Sequence, residues 1–351
     1  MSDTVRIALV GAGLIGKRHA AAILGEPCAR LAAIVDPSEE GRAFARSLDV
    51  PVFESLVEML EVVQPDGAIL ATPNEQHVEQ GLTCVEHGCA ILVEKPIGTT
   101  VASALELVEC AARQEVPILV GHHRRHNPLI ASVKRAIDVG KIGGIRAIQS
   151  TCWFYKPDHY FEEASWRKLK GAGPVSVNLS HDVDLLRYFA GDVVRVQAQS
   201  CPSRRGYQNE DVGAAILTFE SGAIGTITVS DSIVAPWSWE MTSGENPVYP
   251  HTSEGCYQIG GSKGSISVPD LSLWQHENGG RDWWSPIAAE RLDTENSDPL
   301  RNQIRHFSMV VRKKADPIVS GLEGVKTLQV LEAIQHSSDL GAAVEVLPVQ
   351  A

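Results

Sequence analysis

Hydrophobic residues follow one pattern in the first third of the chain and another in the rest. Up to about residue 122, short runs of Val, Ile, Leu and Ala alternate with longer amphipathic segments. The runs are VRIALV from Val5, ARLAAIVD from Ala29, GAILAT from Gly67, AILVEKP from Ala90 and PILVGH from Pro117. Strands that are apolar on both faces and separated by helical segments are typical of a parallel sheet with helical crossovers. We therefore predict a doubly wound α/β domain over residues 1–122.

Residues 123–351 have a different pattern, because they are rich in strand-forming segments joined by Gly-containing turns. The segments are IRAIQSTCWFY from Ile145, VVRVQAQSC from Val193, AAILTFESGAIGTITVSDS from Ala214, CYQIGGSKGSISV from Cys256 and LSLWQHE from Leu271. Helical patterns follow over 299–313 and 322–340. We predict an α+β domain with a large, mostly antiparallel open sheet, whose last helices are able to pack back on the first domain.

The charge of the chain restricts its partners. The 31 Lys and Arg residues against 43 Asp and Glu residues give a net charge of −12. Nucleic-acid binding needs an excess of basic residues, so that function is excluded. No apolar run reaches the roughly 18 residues that span a bilayer, and the chain enters its first strand without the pattern of a signal peptide. We expect a cytoplasmic protein that binds neither nucleic acid nor membrane.

The seven cysteines contain no C-x-x-C pair, and most lie in apolar stretches. This arrangement is typical of buried, reduced thiols and supports neither a disulfide framework nor a zinc site. No metal site is expected.

A glycine-rich motif, GAGLIG, follows the first strand and opens a helical segment. Gly11 permits a tight turn, Gly13 lets a pyrophosphate approach the backbone, and Gly16 permits close helix packing. Asp36 ends the next strand, where a carboxylate accepts hydrogen bonds from ribose hydroxyls and repels a 2′-phosphate. The pattern predicts a site for NAD in preference to NADP. The sequence Asp-Pro-Ser is also a good helix-capping turn, and both roles can coexist.

Polar residues also follow a third strand. Thr72, Pro73 and Asn74 stand at the carboxyl end of GAILAT, where open α/β sheets bind their ligands. The alternative is a turn that starts a helix, with His77 in the first helical turn. Taken alone, the segment favours that alternative.

The segment VEKPIG places an acid, a base and a proline at the end of a fourth, apolar strand. A lysine at this point can hydrogen-bond a substrate hydroxyl beside a nicotinamide, and partial burial lowers its pKa. Pro96 is a candidate for a cis peptide bond. Without further context, a surface ion pair of Glu94 and Lys95 at the strand end is the default interpretation.

Five motifs, in this order and spacing, complete a resemblance that covers nearly the whole chain: GAGLIG, ATPNEQH, VEKPIG, GHHRRHNP and WRKLKGAGPVSVNLSHDVDLLRYFAG. The chain resembles the Gfo/Idh/MocA oxidoreductases, the family of glucose-fructose oxidoreductase and inositol dehydrogenase. The resemblance implies an N-terminal Rossmann domain, a C-terminal domain whose open sheet serves in homodimers or homotetramers, and hydride transfer between NAD and a carbinol carbon.

The resemblance also implies site residues. Lys95 and His181 match the catalytic lysine and histidine of the family. The residues expected to bind the cofactor are Gly11, Gly13, Leu14, Ile15, Gly16, Asp36, Thr72, Pro73, Asn74, His77, Glu94 and Lys95. The residues expected near the substrate are His123, Arg124, Trp166, Arg167 and Asn178.

One position departs from the family pattern. Members often carry an aspartate four residues before the histidine, but Val177 stands there, and Asn178 is the nearest polar residue. If the helix begins near Pro174, Asn178 and His181 share a face at i,i+3 spacing, and Asn178 can bind a substrate hydroxyl without ionising. A neutral His181 then serves as the base. The alternative is a histidine packed near a helix start with Asp184 as its salt partner.

The leading hypothesis is therefore an NAD-dependent dehydrogenase of a sugar, an inositol or a related polyol. Arginines at the pocket can also recognise a carboxylate, so a dehydrogenase of a carboxylated dihydrodiol, a uronate or a hydroxy acid is the second hypothesis. A nucleotide-sensing regulator without turnover is the third, but it has no need of Lys95 and His181.

Overall fold

The computed structural model describes residues 4–280 and 282–349, which form two compact units. The first unit contains residues 4–127, 297–328 and 349, and the second contains the other described residues. The sequence-based division ends the first domain at residue 122. The compact units group residues 123–127 and the segment 297–328 with the first sheet.

The first unit is a six-stranded parallel sheet with helical crossovers. Its elements are β1 (Val5–Val10), α1 (Leu14–Leu24), β2 (Ala29–Val35), α2 (Glu39–Ser47), β3 (Val52–Phe53), α3 (Leu56–Val63), β4 (Gly67–Leu70), α4 (His77–Glu86), β5 (Ala90–Val93), α5 (Val101–Arg113) and β6 (Ile118–Val120). The strand order β3-β2-β1-β4-β5-β6 is the doubly wound order of dinucleotide-binding domains. β4 and β5 are buried along their whole length, as expected for strands covered by helices on both faces.

The second unit is built on a nine-stranded mixed sheet. Its elements begin with α6 (Pro128–Asp138), β7 (Ile145–Trp153), α7 (Asp158–Glu162), α8 (Pro174–Val177), α9 (Leu179–Ala190), β8 (Val193–Pro202), β9 (Glu210–Phe219) and β10 (Ile224–Ser230). They continue with α10 (Trp239–Thr242), β11 (Tyr257–Gly261), β12 (Ser265–Val268), β13 (Ser272–His276) and β14 (Ile287–Arg291). The last elements of the chain are α11 (Pro299–Val311), α12 (Gly321–Leu340) and β15 (Val344–Glu345). α11 lies in the first unit, and the division between the units falls within α12.

The large sheet has the order β14-β13-β12-β11-β7-β10-β9-β8-β15. All its pairs are antiparallel except β7 with β10, which run parallel. The fold class expected from the sequence, a Rossmann sheet plus a mostly antiparallel open sheet, is confirmed. β14 was not expected, because all five of its residues are exposed and the segment lacks an alternating pattern.

Each unit has its own hydrophobic core. In the first unit, Ile7, Leu9 and Ile69 of the sheet are completely buried and share a cluster with Phe307 of α11. In the second, the cluster includes Leu185 and Leu217. Within the described residues, no helix is both long enough and apolar enough to cross a bilayer.

Candidate active site

The glycine-rich turn packs too tightly for side chains at two of its positions. Gly11 has a φ of +91°, and a Cβ added there would lie 2.7 Å from the carbonyl oxygen of Ala71. A Cβ at Gly16 would lie 2.0 Å from the carbonyl oxygen of Gly11. These contacts keep α1 close to the ends of β1 and β4, as the sequence pattern predicts.

The middle glycine of the motif, Gly13, is not packed against its neighbours in this way. Gly13 is the residue before α1, and a Cβ there would meet nothing within 4 Å. No side chain caps the N-terminus of α1, and its first turn has no acidic residue. Leu14 is almost fully exposed, whereas Ile15 packs against the core. The helix N-terminus is thus uncapped and free of side-chain bulk at Gly13, the arrangement with which helix N-termini bind phosphate groups.

Asp36 lies beside this turn. Its Oδ2 accepts a hydrogen bond from the N–H of Ala12 at 2.7 Å, and its Oδ1 accepts from the N–H and the hydroxyl of Ser38. Burial raises the pKa of Asp36, but the bonds from Ser38 and Ala12 outweigh this effect and hold the pKa below its ordinary value. Ser38 itself caps α2 by accepting from the N–H of Gly41. Asp36 is thus ionised at the position where a ribose is held in such folds.

Gly41 packs against the Asp36 carboxylate, a contact that the sequence did not reveal. A Cβ at this glycine would lie 2.2 Å from Cγ of Asp36. The glycine therefore makes room for the carboxylate in the first turn of α2. The sequence contains the signal, a glycine five residues after Asp36, but glycine in a helix has no unique interpretation.

In the polar turn after β4, some side chains are hydrogen-bonded within the protein and others are exposed. Thr72 donates its hydroxyl to Oε1 of Gln80, and Pro73 and Asn74 are exposed. His77 is only 1% exposed, and its two ring nitrogens lie 2.8 Å from the carbonyl oxygen of Pro96 and 2.9 Å from that of Thr72. His77 starts α4, and its ring joins the ends of β4 and β5.

A buried pair lies at the end of β5. Nε2 of His19, in α1, is 2.7 Å from Oε1 of Glu94, and both side chains are buried. Burial raises the pKa of Glu94, but the hydrogen bond and charge of His19 outweigh this and lower the pKa to about 2. Oε2 of Glu94 accepts the N–H of Lys95. Glu94 is therefore not half of a surface ion pair, and its partner His19 was not identified from the sequence.

Lys95 follows this pair directly. It is half-buried, and the Lys95–Pro96 peptide bond is cis, as the sequence suggested. Its backbone N–H is thus held by the Glu94 carboxylate at the end of β5.

The GHHRRHNP motif lies in the first unit as a buried 3-10 turn, His123–His126. His123 and Arg124 are buried. Arg125 donates to the carboxylate of Glu323 at 3.0 Å. Of the two arginines, Arg125 therefore has a structural partner within its own unit.

In the second unit, Asn178 and His181 lie on consecutive helical turns. Pro174 begins α8, and Asn178, between α8 and α9, has helical dihedral angles, so the i,i+3 spacing holds. His181 is 8% exposed. The neighbouring Asp182 faces the sheet and accepts hydrogen bonds from Ser150 and Tyr257. Asp182 therefore anchors α9, which carries His181 and begins directly after Asn178.

Asn178 has a partner that the sequence did not reveal. Its Oδ1 accepts a hydrogen bond from Nζ of Lys156 at 2.8 Å, and Lys156 is only 6% exposed. Lys156 stands just after β7, 22 residues before Asn178. The segment around it contains no motif, so only the fold brings the two together.

Trp166 and Arg167 lie in another 3-10 turn, Ser165–Lys168. The guanidinium of Arg167 donates to the carbonyl oxygen of Tyr160 at 2.6 Å, pairs with Glu163, and stacks 4.0 Å from the centre of the Tyr160 ring. Trp166 is 53% exposed. Arg167 thus holds its own loop together, and Trp166 is the residue of the pair with a free face.

Comparisons with known proteins agree with this geometry. Residues 5–122 match the model of the GFO_IDH_MocA "Oxidoreductase family, NAD-binding Rossmann fold", and residues 130–267 match the GFO/IDH/MocA C-terminal domain. Inositol 2-dehydrogenase of Rhizobium meliloti (strain 1021) is 24% identical, covering 95% of this chain and 97% of the relative. The scyllo-inositol 2-dehydrogenase (NAD(+)) of Bacillus subtilis (strain 168) is 27% identical, covering 99% and 97%.

A solved structure is similar over the same length. The WlbA dehydrogenase from Bordetella pertussis, in complex with NADH and UDP-GlcNAcA, superposes with a TM-score of 0.79 at 28% identity, covering 99% of this chain and 100% of that chain. The resemblance inferred from the motifs is confirmed, and so are the enzyme class and the NAD cofactor. The models of both family domains match this chain in the expected order, and the first match includes the glycine-rich turn and Asp36, which fit NAD. The chain therefore belongs to the Gfo/Idh/MocA family of NAD-binding oxidoreductases.

Proposed function

We propose that the protein is a dehydrogenase that transfers hydride between NAD and a secondary alcohol or carbonyl of a sugar, an inositol or a related polyol. The observation that carries the proposal is the pairing of an open, uncapped helix N-terminus with the ionised Asp36 beside it. The inositol dehydrogenases among the relatives support the substrate class.

Lys95 and His181 are the proposed catalytic residues. Bound NAD supplies the hydride acceptor. When bound, it would take up the hydride of the carbinol C–H bond, and a ring nitrogen of His181 would accept the O–H proton, so that a carbonyl group is left. Lys95 donates a hydrogen bond to the reacting oxygen and stabilises the negative charge that develops there. Glu94, held by His19, fixes the backbone N–H of Lys95 and so limits the positions that the ammonium can reach.

Other residues expected from the sequence are proposed to bind the cofactor or the substrate. The helix N-terminus at Gly13 and the carboxylate of Asp36 bind the cofactor, with Thr72, Pro73 and Asn74 at the neighbouring strand end. Asn178, Arg124 and His123 are the proposed substrate contacts, together with Trp166 and Arg167 from the loop after α7.

A replacement of Lys95 tests the assignment. Lys95→Ala should lower turnover by about 10²- to 10³-fold, the usual contribution of one donor that stabilises developing negative charge, while NADH binding is retained. Turnover is followed as absorbance at 340 nm with NAD and a panel of inositols, aldoses, uronates and cyclic diols. The exposed Lys141→Ala variant is the matched control. Near-normal turnover in Lys95→Ala would remove Lys95 from the mechanism.

A pH profile tests His181. A base that must be neutral gives the pH profile of alcohol oxidation an acidic limb, on which the rate falls as the base becomes protonated. His181→Ala should lower the rate and flatten that limb. An unchanged limb means that another group is the base.

A second candidate substrate is a carboxylated one, such as a uronate. The solved WlbA structure holds UDP-GlcNAcA, which is such a molecule, and Arg124 is buried within its turn. A guanidinium binds a carboxylate through two parallel hydrogen bonds. Turnover of the uronates in the panel, with none of the neutral sugars, would select this candidate.

A homodimer or homotetramer formed through the open sheet is also part of the proposal. Ile216 of β9 and Ile224 of β10 are each about half exposed. They lie on the same face of the sheet, because Ile216 pairs with Thr226, which is two residues from Ile224 on β10. Apolar side chains on an open sheet favour burial against a second copy. Light scattering at micromolar concentration tests this, and a monomer would contradict it.

A further inference from the structure

Lys156 is a buried lysine whose backbone is held in place on both sides. Its N–H donates to the carbonyl oxygen of Asp231 at 2.9 Å, and its own carbonyl oxygen accepts from Nη2 of Arg205 at 2.9 Å. Its ammonium lies 2.8 Å from Oδ1 of Asn178 and 4.0 Å from Oδ2 of Asp231. Asp231 is 1% exposed and pairs with Arg205 at 2.9 Å. The position of the ammonium is therefore fixed by the fold.

The contact decides which way the Asn178 amide faces. An ammonium group has three donors and no acceptor, so the amide atom it meets must be the oxygen. The Asn178 side chain does not cap α9, and within the described part of the chain its Nδ2 has no protein acceptor. Nδ2 is thus left to donate to a ligand. An aspartate at such a position would do the opposite and require a donor.

The charge of Lys156 strengthens this donor. A hydrogen bond from a cation to the amide oxygen withdraws electrons from the amide and makes its N–H groups better donors. The best acceptor for such a donor is an anionic oxygen, since hydrogen bonds with an ionised partner are roughly twice as strong as neutral ones. A hydroxyl oxygen also accepts, but with a weaker bond.

We propose that Lys156 is a positioning residue that locks Asn178 as a hydrogen-bond donor, and that the substrate group bound there is a carboxylate, as in a uronate. This inference rests on the proposed function, because it takes Asn178 as a substrate contact. It selects the carboxylated class among the substrates proposed above.

Binding tests the proposal without requiring turnover. Calorimetric titration of the NADH-loaded protein compares two matched pairs, glucuronate with glucose and UDP-glucuronate with UDP-glucose. In each pair only a carboxylate replaces a hydroxymethyl group. The carboxylate member of at least one pair should bind at least 10-fold more tightly. Equal affinity, or no binding of either carboxylate, would overturn the proposal.

Asn178→Asp provides the decisive variant. The new carboxylate pairs with Lys156 and leaves no donor, so the preference for the carboxylate ligand should disappear through a loss on the order of 10- to 100-fold. The exposed Asn296→Asp makes the same change of charge in the same unit and should retain the preference. Retention of the preference in Asn178→Asp would show that Asn178 is not the donor.

A double-mutant cycle tests whether Lys156 acts through Asn178. Lys156→Met and Asn178→Ala should each weaken binding of the carboxylate ligand, and the double variant should bind no more weakly than Asn178→Ala alone. Lys170→Met, at an exposed lysine, is the control. Additive losses would show that Lys156 acts independently. If Lys156→Met does not fold, Asn178→Asp still decides the proposal, since it leaves Lys156 intact.

The two levels of the proposal fail in different ways. Turnover of neutral polyols without any preference for a carboxylate would leave the dehydrogenase in place and overturn the inference. Tight binding of the carboxylate ligand that Asn178→Asp abolishes, without reduction of NAD by that ligand or by any member of the panel, would support the inference and overturn the dehydrogenase.

Discussion

Replacing Glu94 with Gln removes the charge that His19 faces at the end of β5. The pKa of Glu94 is about 2 instead of the ordinary 4.5. At about 1.4 kcal/mol per pH unit, this difference corresponds to about 3 kcal/mol of folding free energy. Because the pair is buried, solvent does little to screen it. We expect Glu94→Gln to lower the free energy of unfolding by up to about 3 kcal/mol at pH 7.

The pH dependence has a definite sign. A carboxyl group whose pKa is lowered by folding stabilises the native state above its unfolded pKa, and it loses this contribution as the pH falls towards the folded value. For Glu94 the window runs from about 4.5 down to about 2. The difference between wild type and variant should therefore be constant from pH 7 to 5 and shrink to about half at pH 3.

Urea unfolding followed by far-UV circular dichroism at several pH values measures this difference. Tryptophan fluorescence is recorded in parallel and reports only the second unit, because all seven tryptophans lie there. Glu61→Gln, at an exposed position of α3, is the matched control and should change little. A loss in Glu94→Gln that is equally large at pH 3 and pH 7, or one below about 1 kcal/mol at pH 7, would refute the reasoning.

Three further predictions concern the first unit. Asp36→Asn removes the charge that repels a 2′-phosphate, so the ratio of kcat/KM for NADP to that for NAD should rise by about 10-fold or more, and an unchanged ratio would contradict the assignment. Gly41→Ala places a Cβ 2.2 Å from Cγ of Asp36, so the carboxylate must shift, and NADH binding in a fluorescence titration should weaken. Gly144→Ala, whose Cβ meets open space, should leave binding unchanged. Glu26→Gln removes the buried carboxylate that accepts hydrogen bonds from Arg301 and Arg305, and it should lower the free energy of unfolding by about 1–2 kcal/mol. The loss should be smaller at high salt, because both arginine side chains are about half exposed and salt screens their charges.

Much of the nucleotide site follows from local patterns. The turn at Gly11, the open position at Gly13 and the strand-end carboxylate of Asp36 each depend on a few neighbouring residues, and the structure places them as the motif predicts. The positions that the motif does not cover were missed. Gly41 is constrained only by the carboxylate against which it packs, and nothing in its own neighbourhood requires a glycine.

The sequence by itself determined the two classes of sheet, the dinucleotide turn and the family, because periodicity and glycine spacing are local properties of the chain. Only the tertiary structure decided the pairs that join distant segments. His19 and Glu94 are 75 residues apart, and Lys156 meets Asn178 from another element. Such contacts depend on strand order and helix packing, which bring side chains together irrespective of their separation in sequence. The direction in which the Asn178 amide donates is therefore a property of the fold.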